Sequence, residues 1–192
     1  MKKMESIAHL LFQAQMLKRI NRSGYRFMGS GKETVAEHSF LVTFIAFVMT
    51  KMEPEVNELK LISMSLLHDL TEAMIGDLDS VQKRYVEVDE RKAVFDLVKN
   101  LFFGDSMSLL IEEFNAGKTE ESKLARDADV LAFIIDLKAM KDIGNNPAAE
   151  WLSFVTGRLQ TKIGKEIASS IMETSWDHWW RKNYLDIPEG KN

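Results

Sequence analysis

Along almost the whole chain, apolar residues return at three- and four-residue steps, and the two-residue alternation of a half-buried strand is nearly absent. Segments patterned this way bury their apolar stripes by packing helix on helix, which restricts the fold to an all-α, compact helical bundle. The three prolines stand at positions 54, 147 and 188, where helical segments begin or end. The periodicity predicts helices over about 4–20, 34–52, 56–74, 81–102, 106–115, 120–143, 148–160 and 164–184. No internal repeat or low-complexity linker divides residues 1–192, so a single domain is expected.

With 192 residues, 45% hydrophobic and 28% charged, the chain can bury a core without disulfides and sits far from the composition of disordered segments. Its formal net charge of −4 argues against a nucleic-acid polymer as partner, because displacing the counterions of a phosphate backbone needs a basic face. There is no cysteine, so a metal would have to be held by histidine and carboxylate, and the composition suits a reducing, cytoplasmic setting. Residues 1–17 scatter Lys2, Lys3, Glu5, His9 and Gln13 among apolar positions, unlike a signal peptide's continuous apolar stretch. Residues 41–49 are apolar apart from Thr43 and too short to cross a bilayer, so no membrane role is expected.

The stretch Asn21 to Lys32, with Gly24, Gly29 and Gly31 beside Arg22 and Arg26, reads as a basic loop. Thr34 and Glu37 have the spacing of a capping box, which starts a helix. His38 follows at once and shares a face with Leu41, Val42, Ile45 and Met49, so it points inward. On the next helix Leu61, Met64, Ser65, His68 and Glu72 form a second stripe, with Asp69 beside His68. Asp129 interrupts the mostly apolar stretch from Leu124 to Ile135, where an ionised carboxylate needs a compensating charge that a divalent cation can supply. A buried His–Asp hydrogen bond would account for His38, His68 and Asp69 without any metal. His9 and His178 read as hydrogen-bonded core residues, Trp176, Trp179 and Trp180 as a packing or subunit surface, and Asp127 as a partner of Arg126.

A first histidine, a His-Asp pair and a distant aspartate, all on helices, form the set His38, His68-Asp69 and Asp129, and this set resembles the HD-domain phosphohydrolase superfamily. Within it the chain looks most like the small bacterial 5′-deoxynucleotidase branch. The likeness runs through Leu17-Lys18-Arg19-Ile20-Asn21-Arg22, Val35-Ala36-Glu37-His38-Ser39 and, most specifically, His68-Asp69-Leu70-Thr71-Glu72-Ala73-Met74-Ile75-Gly76-Asp77-Leu78. It covers roughly residues 5–140, with helices over 148–184 packed on that core. The resemblance implies the helical HD fold and one divalent cation held by His38, His68, Asp69 and Asp129. It assigns Glu72 and Asp77 to catalysis or substrate contact and Arg22 to the phosphate, and it implies a homodimer. Members that select deoxyribose often carry a bulky aromatic immediately after that arginine. Here the position is Ser23, with Tyr25 or Phe27 as the residues able to fill the same space.

Two imidazoles and two carboxylates leave positions open for water and phosphate, which suits Mn²⁺, Co²⁺, Fe²⁺ or Mg²⁺ better than a closed zinc site. Glu72, four residues past His68, takes the proton-transfer role, while Asp77 beyond Gly76 either orients the leaving sugar or caps a helix. Arg22 can clamp phosphate oxygens with its planar fork, and Arg26 and Lys32 read as solvated loop charge. With only four histidines, a second histidine-rich metal site is not expected. The leading expectation is hydrolysis of a small-molecule nucleotide, a (deoxy)nucleoside 5′-monophosphate, to nucleoside and phosphate. A nucleoside triphosphate or alarmone pyrophosphate would want more cations than Arg22, Arg26 and Lys32 offer. A non-catalytic, metal-stabilised ligand sensor would have no use for Glu72 and Asp77.

Overall fold

The computed structural model describes residues 2–184. The chain runs through α1 (Lys2–Met16), α2 (Val35–Met52), α3 (Glu58–Leu67), α4 (Glu72–Ile75), α5 (Glu90–Val98), α6 (Gly104–Ala116), α7 (Glu120–Asp142), α8 (Asn146–Thr156), α9 (Lys162–Glu173) and α10 (His178–Tyr184). Short polar side chains set where most of these begin. Thr34, Asn57, Asp89, Thr119, Asn145 and Thr161 each accept a hydrogen bond from a first-turn backbone N–H of α2, α3, α5, α7, α8 and α9. Each such cap contributes about 1 kcal/mol. The capping box is reciprocal, with Glu37 N donating to Thr34 Oγ1 at 3.2 Å and Thr34 N to Glu37 Oε2 at 2.6 Å.

Helix α7 is the centre of the molecule. Its Leu124, Leu131, Ile134 and Leu137 are at most 1% exposed, and it packs against α2, α3, α6, α8 and α9. A second apolar cluster joins Leu17, Val35 and Leu70 to Val94 and Leu97 of α5 and Ile111 of α6. Three segments belong to both clusters, α6 among them through Ile111 and Phe114. Helix α2 passes from Val35 in the second to Val42 in the first, with His38 between them. The end of α3 passes from Met64 in the first to Leu70 in the second, with His68 between them. The two imidazoles therefore sit at the seam between the clusters.

Three of the expected helices are interrupted. The helix expected over 56–74 stops at Leu67, and the chain tightens through Leu70 N→Leu67 O and Glu72 N→Asp69 O before α4. The helix expected over 81–102 is confined to α5. Asp79 accepts hydrogen bonds from the N–H groups of Val81 and Gln82, closing a 3₁₀ turn over Gln82–Arg84 instead. The helix expected over 164–184 starts earlier, at the Thr161 cap, and breaks at the Thr174 to Asp177 run. There Thr174 Oγ1 donates to Ser170 O and Ser175 Oγ to Asp177 Oδ1. Pro188 lies outside the described residues. Among those described, strand-like pairing occurs at the isolated bridge between Asn21 and Thr34.

The apolar residues 41–49 lie within helix α2. Over Val35–Met52 it has 18 residues at mean hydropathy 1.3, long and apolar enough to cross a membrane by length and composition. Its inner face, however, carries His38, Val42 and Met49 into contact with α3 and α7. Phe40 and Phe44, stacked on the outer face, account for much of the remaining hydropathy.

Candidate active site

The bridge between Asn21 and Thr34 ties the loop after α1 to the start of α2, with Arg22 N donating to Glu33 O and Val35 N to Ile20 O, both at 2.9 Å. This places Arg22 beside the first turn of α2, where His38 is 1% exposed. His38 Nε2 lies 3.0 Å from Asp129 Oδ1 of α7 and 3.8 Å from Asp69 Oδ2. His68, in the tight turn after α3, donates from Nδ1 to Ser65 O at 2.8 Å, which leaves Nε2 as the ring nitrogen available to a cation that displaces its proton. That Nε2 is buried without a hydrogen-bond partner, 3.1 Å from Asp69 Oδ2 in poor hydrogen-bond geometry.

One ligand atom each from His38, His68 and Asp69 lies within 4.8 Å of the others, and the two imidazole rings are 5.5 Å apart. Asp129 stands outside that tight trio and joins it through His38, its side chain 29% exposed because it opens onto a cleft. Negative charge exceeds what these partners balance. Burial disfavours the Arg22 guanidinium, yet Asp69, Asp129, Asp77 and Glu72 outweigh that penalty and hold its proton firmly. Burial, then the charges of Asp69 and Asp77, push the Glu72 carboxyl up to about 9, and its Oε2 is buried without a hydrogen-bond partner. Burial also opposes charge on His68, but Asp69 and Asp129 override it and push the imidazole up to about 9. An unpartnered imidazole nitrogen among surplus carboxylates is the setting a divalent cation relieves, so the residues present fit one.

Arg22 Nη1 donates to Asp69 Oδ2 at 3.1 Å and stands 3.8 Å from Asp77 Oδ1. Gly76, at φ +75°, turns the chain out of α4 and leads Asp77 across to this loop instead of capping its own helix. There Asp77 Oδ2 accepts from both the backbone N–H and the hydroxyl of Ser23. Ser23 is thus an anchor for Asp77. Of the two aromatics suggested for its vacated space, Tyr25 donates its hydroxyl to Asp136 and Phe27 lies against Trp151, and both line the same cleft as Ser23.

Several expectations are overturned. Asp127 is fully buried and pairs not with Arg126 but with the turn before α9, accepting from Gln160 N, Thr161 N and Thr161 Oγ1. His9 and His178 lie on the surface and not in the core. Arg26, 55% exposed, stays a solvated loop charge as expected while also pairing with Asp79 at 3.2 Å. The cleft also has more cations than the loop residues counted from the sequence, since Lys83, Arg84 and Arg158 line it beside Arg22. Sequence reasoning also missed an acidic group behind His38. Glu33 Oε2 is 3.7 Å from His38 Nδ1, and the Tyr25 hydroxyl links Glu33 to Asp136. Burial, then the charge of Asp136, push Glu33 up to about 8. The spacing of Asp136, two helical turns past Asp129, was the available signal.

The HD domain family model matches residues 14–172. A curated relative from Danio rerio, named 5′-deoxynucleotidase HDDC2, is 25% identical over 150 residues, covering 75% of this chain and 74% of the relative. The protein of the same name from Dictyostelium discoideum is 28% identical over 131 residues, covering 62% and 69%. A solved structure from Pyrococcus furiosus, described as a conserved hypothetical protein, superposes with TM-score 0.75 at 28% identity over 87% of this chain and 99% of that one. A Magnetospirillum magnetotacticum structure described as a predicted metal-dependent phosphohydrolase shares the fold at TM-score 0.70 and 22% identity, over 90% and 92%. With the helical bundle, the His-Asp turn and a family match across most of its length, this chain belongs to the HD domain family.

Proposed function

We propose that this protein is a metal-dependent phosphohydrolase that cleaves deoxynucleoside 5′-monophosphates to nucleoside and inorganic phosphate. The divalent cation, Mn²⁺, Co²⁺, Fe²⁺ or Mg²⁺, is assigned to His38, His68, Asp69 and Asp129. The observation that carries the reading is the meeting of His38, His68 and Asp69 within 4.8 Å, with Asp69 opening beside Arg22, Glu72 and Asp129 onto a cleft of about 1000 Å³. The relatives named 5′-deoxynucleotidase support the substrate class. A bound cation supplies a nucleophile at neutral pH and offsets charge on the phosphoryl group.

The chain's own residues do the rest. Arg22, held by Asp69 and Asp77, presents a fixed cation to the phosphate. Glu72, buried and inclined to keep a proton, is the group assigned to donate it to the leaving oxygen. Asp77, immobilised by Ser23, is the acceptor assigned to a hydroxyl of the leaving sugar. Purified protein supplied with Mn²⁺ or Co²⁺ is expected to release inorganic phosphate from a panel of deoxynucleoside monophosphates. Failure to do so on every monophosphate, with metal demonstrably bound, overturns the proposal.

Lys83, Arg84 and Arg158 support a second reading, in which a longer phosphate chain is cleaved. The products separate the two. Pyrophosphate or triphosphate release from a nucleoside triphosphate, with monophosphates untouched, favours the second.

A further inference from the structure

A cleft of about 1000 Å³ holds much more than a phosphate and a sugar. Its wall beyond the acidic cluster is aromatic. Phe133 follows Asp129 by one turn of α7, about 6 Å along the helix, and so shares its face. Trp151 of α8 meets Phe133 edge to face, with centroids 6.4 Å apart and planes at 74°. Phe27, from the Arg22 loop, lies nearly parallel to Trp151, at 14° and 6.3 Å. All three line the same cleft as Asp69, Glu72 and Asp129. Phe133 and Trp151 are half-buried, packed against the core while remaining open to the cleft. Two of the elements that supply these rings, the Arg22 loop and α7, also carry Arg22 and Asp129 at the reacting end.

We propose that Trp151, braced by Phe133 and Phe27, is a nucleobase-stacking subsite, so that the enzyme selects phosphomonoesters whose leaving alcohol carries a planar aromatic base. The inference rests on the phosphohydrolase reading above and adds to it what the outer cleft recognises. A rigid indole loses little conformational freedom on binding, and a base of any identity offers it a π-face. Glu150 and Arg158, which also line the cleft, offer an acceptor and a donor fork to base edges.

The test compares full-length, Mn²⁺-supplied protein on deoxyadenosine 5′-monophosphate and on 2-deoxyribose 5-phosphate, in which a hydroxyl replaces the base at C1. Wild-type kcat/KM is expected to favour the nucleotide by about tenfold or more. Trp151→Leu, which keeps apolar bulk, removes that advantage through KM on the nucleotide and leaves kcat/KM on the sugar phosphate within about twofold. Trp151→Phe restores most of the preference, which a purely structural role would not require. Should Trp151→Leu fail to fold, Phe27→Leu on the loop reads the same loss at smaller size, about threefold. Equal wild-type activity on both compounds, or an unchanged preference in both leucine variants, overturns the stacking subsite while leaving the phosphohydrolase intact. Phosphate release from neither compound removes both.

Discussion

Glu72 is the residue whose state is most at odds with its surroundings, a buried carboxyl with an unpartnered oxygen facing two carboxylates. Glu72→Gln keeps its shape and removes its ability to carry a proton. Turnover is expected to fall by about 10²–10⁴-fold while metal content, measured by elemental analysis, stays at the wild-type value. Unchanged turnover would remove Glu72 from the reaction. Arg22 acts through geometry as much as charge. Arg22→Lys keeps one positive charge but loses the planar fork that bonds Asp69 and faces Asp77, and kcat/KM should drop roughly 10–100-fold. At this scale the sequence was informative about chemistry. His38, His68-Asp69 and Glu72 stood out because titratable residues on apolar helical faces are rare. Ser23 stood out only through the family resemblance, and Glu33 and Trp151 carried no such mark, since a loop glutamate and an apolar-face tryptophan have ordinary explanations.

Helix starts were legible because a cap is a local bond between residues three apart, as Thr34 with Glu37 shows. Helix ends were less so. The break after Leu67 turns on where His68 and Asp69 must point, which apolar periodicity does not record. Asp127 gives the clearest test of how one element is fixed to another. Its carboxylate holds the two N–H groups and the hydroxyl that begin α9, and a Cβ on Gly164 would collide with it. Asp127→Ala leaves these buried donors unsatisfied and should cost about 3 kcal/mol in urea unfolding. Gly164→Ala should also destabilise, by pressing on the same carboxylate. A loss under about 0.5 kcal/mol for Asp127→Ala would show that α9 is held by its apolar face alone.

For the molecule as a whole, the acidic cluster at the seam of the two apolar clusters makes stability depend on the cation. Adding Mn²⁺ at about one hundred times its dissociation constant should stabilise the native state by about 2.7 kcal/mol and raise Tm on the order of 5–10 °C, with EDTA reversing the gain. An identical Tm with and without metal would argue that the four proposed ligands do not share an ion. The amino-acid order alone was enough for the all-helical class, the capped starts and the donor types, because each follows from neighbours within one or two turns. The packed molecule alone settled which donors meet. His38 joins Asp129 across 91 residues, Ser23 joins Asp77 across 54, and Tyr25 joins Asp136 across 111. Two of these contacts end on α7 and the third joins two loops, so all depend on how distant segments are seated against one another. Side-chain periodicity repeats every few residues and so holds no record of which distant turn will face which.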